Sequence, residues 1–169
     1  MKRTRRVGVA LGSNLGNQIE HLRAGIQWLE KISEESVLVS RVYETEPVNC
    51  PDGSDAFLNA VCEIGYHGEI MELLRKMQSF EQQRGRSKSR ARNTPRPLDM
   101  DLLYADDLVL NGPELILPHP RMCERRFVLR PLCDIRPDLV LPGQACTVSK
   151  LLALLKDCGQ FQVFHEALK

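Results

Sequence analysis

Two stretches of helical periodicity lie among four alternating apolar strands, in the order β-α-β-β-α-β. That order predicts an α+β fold, a ferredoxin-like βαββαβ sandwich whose antiparallel sheet carries helices on one face. The 169 residues contain no internal repeat and no low-complexity linker, so a single domain over 1–169 is expected, with a C-terminal elaboration after the last strand.

Arg6 to Leu11 reads as the first strand and ends in the turn Gly12-Ser13-Asn14-Leu15-Gly16. The spacing of Ile19, Leu22, Ile26 and Leu29 predicts the first helix. Val37 to Val42 is the second strand, and the Pro- and Gly-rich segment ETEPVNCPDGSDA a loop. From Phe57 to Ile64 the chain alternates: Leu58, Ala60, Cys62 and Ile64 point one way, Phe57, Asn59, Val61 and Glu63 the other. Glu69 to Glu81 is the second helix and Leu98 to Tyr104 the fourth strand. Beyond Asp106, ELILPHP looks extended, and short helices are expected at Arg125–Cys133 and Val148–Leu155.

A net charge of +1 means that any basic patch is local rather than global. The apolar run after the basic start stops at Leu11, too short for a secretory signal, and no stretch approaches a membrane span. Six scattered cysteines without a Cys-x-x-Cys pair predict reduced, packed thiols in a cytoplasmic protein rather than a zinc or disulfide framework.

The fourth strand carries the chemistry. Asp99 and Asp101 share one face, opposite Leu98, Met100 and Leu102. With the apolar set under the helices, the two carboxylates stand on the open face together with Phe57 and Asn59. Next-but-one strand residues are ~7 Å apart, so the pair repels itself unless cations intervene. Divalent magnesium suits that spacing, because it takes one or two carboxylates plus waters and phosphate oxygens. Immediately before the strand, RGRSKSRARNTPR places six cations between Arg84 and Arg96. Cations beside a paired acid are explained by a polyphosphate lying between them. Glu81, 11 positions after Ile70, points within about 20° of that residue on the apolar stripe. It is expected either to reach past the rim to water or to accept hydrogen bonds from a nucleotide.

These pieces together resemble the 6-hydroxymethyl-7,8-dihydropterin pyrophosphokinase family. The most specific is Arg96-Pro97-Leu98-Asp99-Met100-Asp101, supported by VGVALGSNLGN, YETEPV, FLNAV, FEQQRGR and LPHPRMCERRFVLRPL in matching order. The resemblance implies transfer of pyrophosphate from ATP, as co-substrate, to the pterin hydroxymethyl group, with release of AMP, in folate biosynthesis. It implies two magnesium ions on Asp99 and Asp101, and Arg86 and Arg96 among the catalytic groups. ATP would be bound by Gln78, Glu81, Arg86, Lys88, Arg92, Arg96, His119 and Arg125, and the Arg84–Pro95 loop would move during turnover. The pterin would lie between Phe57 and Phe127, with its amide-like edge read by Asn59 and backbone contacts from Thr45 and Val48. The expected partners are these small molecules alone, without nucleic acid or membrane, and the expected state is a monomer. This sequence departs from the common pattern at Asn93, Thr94, Glu114, Pro120 and Arg126, and has no Walker A ending after Gly16. Two alternatives remain at this level: an RNA-binding module on the open sheet face, or another magnesium-dependent nucleotidyl- or phosphotransferase using the same carboxylates.

Overall fold

A computed structural model describes residues 3–46, 56–85, 95–156, 161–164 and 168. The sheet is built on β1 (Arg5–Ser13), which runs antiparallel to β4 (Phe57–Tyr66) on one side and β5 (Asp99–Ala105) on the other. Beyond β4 lie β3 (Val42–Thr45) and then β8 (Phe161–Phe164), giving the order β5-β1-β4-β3-β8, while β2 (Leu38–Val39) also pairs with β4. The first four strands of this order, β5-β1-β4-β3, form the ferredoxin-like arrangement that the alternating patterns predict.

One face of the sheet is covered by α1 (Gln18–Ile32) and α2 (Ile70–Gln83). Asn17 caps α1 through its side-chain oxygen, which accepts the Glu20 N–H, and so satisfies a donor that the first turn leaves without a partner. The predicted stripe Ile19, Leu22, Ile26 and Leu29 is buried against Val7, Val9 and Leu11 of β1, Leu58, Cys62 and Ile64 of β4, and Leu98, Met100 and Leu102 around β5. Full burial of one such aliphatic side chain contributes about 1.5–3 kcal/mol. This core explains why the apolar half of each strand must face the helices.

The other face is open only in part. α3 (Arg126–Ile135) and α4 (Val148–Leu154) lay Val128, Leu129, Leu132 and Val148 against Val61, Leu103 and Tyr104. The C-terminal elaboration therefore forms a second, smaller core beneath the far end of the sheet. Three local departures from simple alternation matter. The expected second strand is split: the Ser40 hydroxyl, rather than a backbone carbonyl, accepts the Val61 N–H at 2.9 Å. In β5, Gly8 pairs with Tyr104 but Val9 with Leu102, leaving Leu103 as an extra residue in a β-bulge. The segment expected to be extended around ELILPHP is β7 (Ile116–Leu117), paired in a small hairpin with β6 (Leu110–Asn111).

Gly8 shows how closely the second core is fitted. It pairs with Glu63 of β4 and Tyr104 of β5, and the tyrosine ring lies across it. The Tyr104 hydroxyl donates to Glu63 Oε2 at 2.6 Å, and Arg136, at the end of α3, donates to Glu63 Oε1 through Nε at 3.0 Å. Burial first, then the Glu63 charge, push the Tyr104 hydroxyl far above its ordinary pKa, so it remains a donor. A Cβ on Gly8 would fall 2.2 Å from the ring. Gly8→Ala is therefore expected to destabilise the fold by about 2 kcal/mol, seen as a melting temperature lower by roughly 4–8 °C.

Candidate functional site

The register of the sheet sets the geometry of the partly open face. Asn59 of β4 and Asp99 of β5 both pair with Gly12 of β1, and one rung further Val61 and Asp101 both pair with Ala10. Paired residues point to the same side, so Gly12 and Ala10 form a floor between Asn59 and the two aspartates. Two interstrand steps of 4.7–4.9 Å put roughly 10 Å between the outer strands. That width accommodates a flat bicyclic molecule lying across β1.

Asp99 and Asp101 are half-buried on this face, as their alternation predicts, and Met100 between them is in the core. They are not sealed under the helices. The Arg96 guanidinium donates to Asp99 Oδ2 at 3.0 Å, with both side chains about one-quarter exposed. Arg125 senses both carboxylates: burial and the Arg121 charge lower its pKa, while Asp101 and Asp99 oppose that shift. Two hard carboxylate oxygens with cations at the periphery suit a divalent ion whose other ligands are waters and phosphates. Among the described residues no group of three or more His, Cys, Asp and Glu forms an all-protein metal cage, which magnesium does not require.

Glu81 departs from the first of the two expectations for it. Instead of reaching past a solvent rim, it is 2% exposed, and its Oε1 accepts the Met100 N–H at 2.6 Å. The carboxylate thereby fastens the end of α2 to the backbone between the two aspartates. Gln78, one turn earlier, is exposed. On the outer edge of the same strand, the bulged Leu103 carbonyl accepts the His119 N–H at 2.7 Å, so the edge residue His119 stands two positions from Asp101. The His119 ring accepts the Arg121 N–H at Nδ1, which puts the proton of the neutral ring on Nε2. Burial, then Arg125 and Arg121, lower the His119 pKa.

At the opposite side of the floor, Asn59 is buried and donates its amide to Thr45 Oγ1 at 2.9 Å. Thr45 pairs with Phe57 and Tyr43 with Asn59. Phe57 is half-buried at the start of β4, and its alternation keeps it off the helix-covered face. Phe127, in the first turn of α3, is 38% exposed with the Arg125 guanidinium 5.5 Å over its ring. The other end of α3 is tied to β3: Asp134 accepts hydrogen bonds from Arg41, Tyr43 and Arg130. Burial alone would raise the Asp134 carboxyl, but these donors hold it below its ordinary range.

Arg96, Asp99, Asp101, Glu81, His119 and Arg125 thus gather around the start of β5, with Asn59, Thr45 and Phe57 across the floor. Val48, Arg86, Lys88 and Arg92, and most of the Arg84–Pro95 loop, lie outside the described residues. Sequence reasoning missed Asn14, whose side chain and backbone both bond Arg96. Its only signal is an asparagine in a Gly-rich turn, which ordinary turn chemistry also explains.

Residues 8–137 match the family model for 7,8-dihydro-6-hydroxymethylpterin-pyrophosphokinase (HPPK). The chain is 42% identical over 135 residues to the folic acid synthesis protein fol1 of Schizosaccharomyces pombe, covering 79% of this chain and 18% of that protein. It is 38% identical over 138 residues to the 2-amino-4-hydroxy-6-hydroxymethyldihydropteridine pyrophosphokinase of Pseudomonas aeruginosa, covering 81% of this chain and 84% of that one. The chain therefore spans about a fifth of the length of its fungal relatives but most of this bacterial one. Among solved structures, a Plasmodium falciparum HPPK-DHPS crystallised with pterin and p-hydroxybenzoate superposes with a TM-score of 0.70 at 13% identity, covering 89% of this chain and 43% of that one; at that identity the likeness concerns the fold. With the match running from the glycine floor of β1 to the end of α3, the chain belongs to the 7,8-dihydro-6-hydroxymethylpterin-pyrophosphokinase family.

Proposed function

We propose that this chain transfers the β,γ-pyrophosphate of ATP to the hydroxymethyl group of 6-hydroxymethyl-7,8-dihydropterin, releasing AMP, as a step of folate biosynthesis. The observation that carries the reading is the shared rung Asn59–Gly12–Asp99. It sets a group able to read a pterin edge and a group able to hold a metal-bound polyphosphate on one face, about a pterin's width apart.

The pterin lies over Gly12 and Ala10, with Asn59 and Thr45 at its amide-like edge and the rings of Phe57 and Phe127 offering stacking surfaces. The family resemblance assigns a backbone contact here to Val48, which lies outside the described residues. Asp99 and Asp101 would hold two magnesium ions, which when bound neutralise the polyphosphate and orient it. Arg96 and Arg125 approach the same oxygens as fixed cations, and the family resemblance assigns Arg86, Lys88 and Arg92, outside the described residues, to the same task. Gln78 and Glu81 on α2 and His119 on the far edge of β5 flank the nucleoside end. The pterin hydroxymethyl oxygen attacks Pβ of ATP. The bond from Pβ to the oxygen bridging it to Pα breaks, AMP departs, and the hydroxyl proton is lost. Positioning and charge neutralisation carry most of such a reaction, and no residue here needs to form a covalent intermediate. An RNA-binding role is disfavoured, because α3 and α4 occupy part of the face such a module would use and the rest carries two acids.

Product analysis tests the reading: AMP should form only when ATP, Mg2+ and the hydroxymethyl pterin are all present. Turnover without AMP, or AMP formed independently of the pterin, would discard it. Asp99→Asn and Asp101→Asn should each lower kcat by at least about 10²-fold, as loss of a main transition-state charge partner does, and weaken Mg2+ binding in a titration. Arg96→Ala should cost a comparable factor in turnover.

His119 should titrate below its ordinary 6.5 when followed by NMR. An unfolded chain then takes up a proton that the native ring refuses, so the stabilising contribution of neutral His119 is complete above pH 6.5 and is lost as pH falls toward the lower native value. His119→Gln should flatten that part of the stability profile, measured by denaturant unfolding between pH 7.5 and 5.

A further inference from the structure

Asn14 is 2% exposed in the turn after β1, and its Oδ1 accepts the Arg96 N–H at 2.9 Å while its own N–H donates to the Arg96 carbonyl at 3.2 Å. The two bonds reproduce one rung of an antiparallel ladder, with one arm supplied by a side chain. Arg96 needs such a rung more than most residues do. It is flanked by Pro95 and Pro97, neither of which has an N–H, so its own is the only backbone donor between Thr94 and Leu98. A neighbouring strand cannot fix so short a donor-poor segment. The turn of β1 does it from the side, and the Arg96 guanidinium is left bonded to Asp99 at 3.0 Å.

We propose that Asn14 is a positioning residue for pyrophosphoryl transfer: by clamping the Arg96 backbone it aims the guanidinium at the space beside Asp99 where the ATP polyphosphate lies. This rests on the functional reading above. Asn14 touches no substrate and works through Arg96. An acceptor carried on the second side-chain carbon is needed for the clamp, so Asp at this position keeps it, Gln misplaces the carbonyl by one methylene, and Ala removes it.

A double-mutant cycle tests the proposal. Asn14→Ala should lower kcat 10- to 100-fold and raise KM for ATP several-fold, leaving KM for the pterin within twofold. Asn14→Asp should recover most of kcat. If Asn14→Ala fails to fold, Asn14→Gln takes its place in the cycle with the same expected losses. On the Arg96→Ala background, the Asn14 change should add less than a twofold further loss, since the residue it serves is gone. Tyr104→Phe, which deletes a buried hydrogen bond at the other end of the sheet, should lower the melting temperature but leave kcat within twofold, separating general destabilisation from mispositioning. An active wild type in which the Asn14 and Arg96 losses simply multiply, or in which Asn14→Ala behaves like Tyr104→Phe, overturns the proposal alone. A wild type that makes no pterin-dependent AMP overturns the functional reading and this proposal together.

Discussion

The organisation of the site depends on the near-absence of side chains along one face of β1. Val7, Val9 and Leu11 fill the core beneath α1 and α2, while Gly8, Ala10 and Gly12 line the reverse. That alternation does two jobs. At Gly8 it admits a tyrosine ring across the strand, so that Tyr104, Glu63 and Arg136 join β5, β4 and the end of α3. At Ala10 and Gly12 it leaves a shallow floor bounded by Asn59 and the carboxylates. A large residue at either position would stand between the two halves of the site. The strand is thus oily on the side that folds against the helices and nearly bare on the other.

The acidic strand is held in place by polar contacts as well as by burial. Met100 supplies the hydrophobic anchor, but its N–H is also taken by Glu81 from α2, and the residues before it are fixed from the β1 turn. Two half-buried acids side by side repel one another, so their placement has a continuing electrostatic cost. Arg96 and Arg125 offset part of it.

How much of this was readable in the amino-acid order follows from the range of the forces involved. The helical stripe from Ile19 to Leu29 and the alternation from Phe57 to Ile64 are local consequences of burial on one side, and both elements form where the pattern puts them. The same logic set Asp99 and Asp101 opposite the core. What escaped depends on partners distant in sequence. β8 is strand only because it lies along β3, where Gln162 reaches Glu44 across 118 positions. The bulge at Leu103 exists because β5 must satisfy β1 and also receive His119. Glu81 looked like an acid at the rim because periodicity gives a direction, not a neighbour, and its neighbour is a backbone amide of another element. Phe57 is half-buried and Phe127 exposed, and only Phe57 had its orientation written in an alternating pattern.

The knot of Arg41, Tyr43 and Arg130 on Asp134 has a mechanical meaning for the molecule. It grips α3 at Arg130 and Asp134, three and seven residues from Phe127, the nearer about 4.5 Å along the axis at 1.5 Å per residue. Over that short arm a tilt of about 5° carries the helix backbone at Phe127 sideways by only about 0.4 Å. The position of the ring is therefore set jointly by this ionic fastening and by Val128 and Leu129, which pack beside it in the second core.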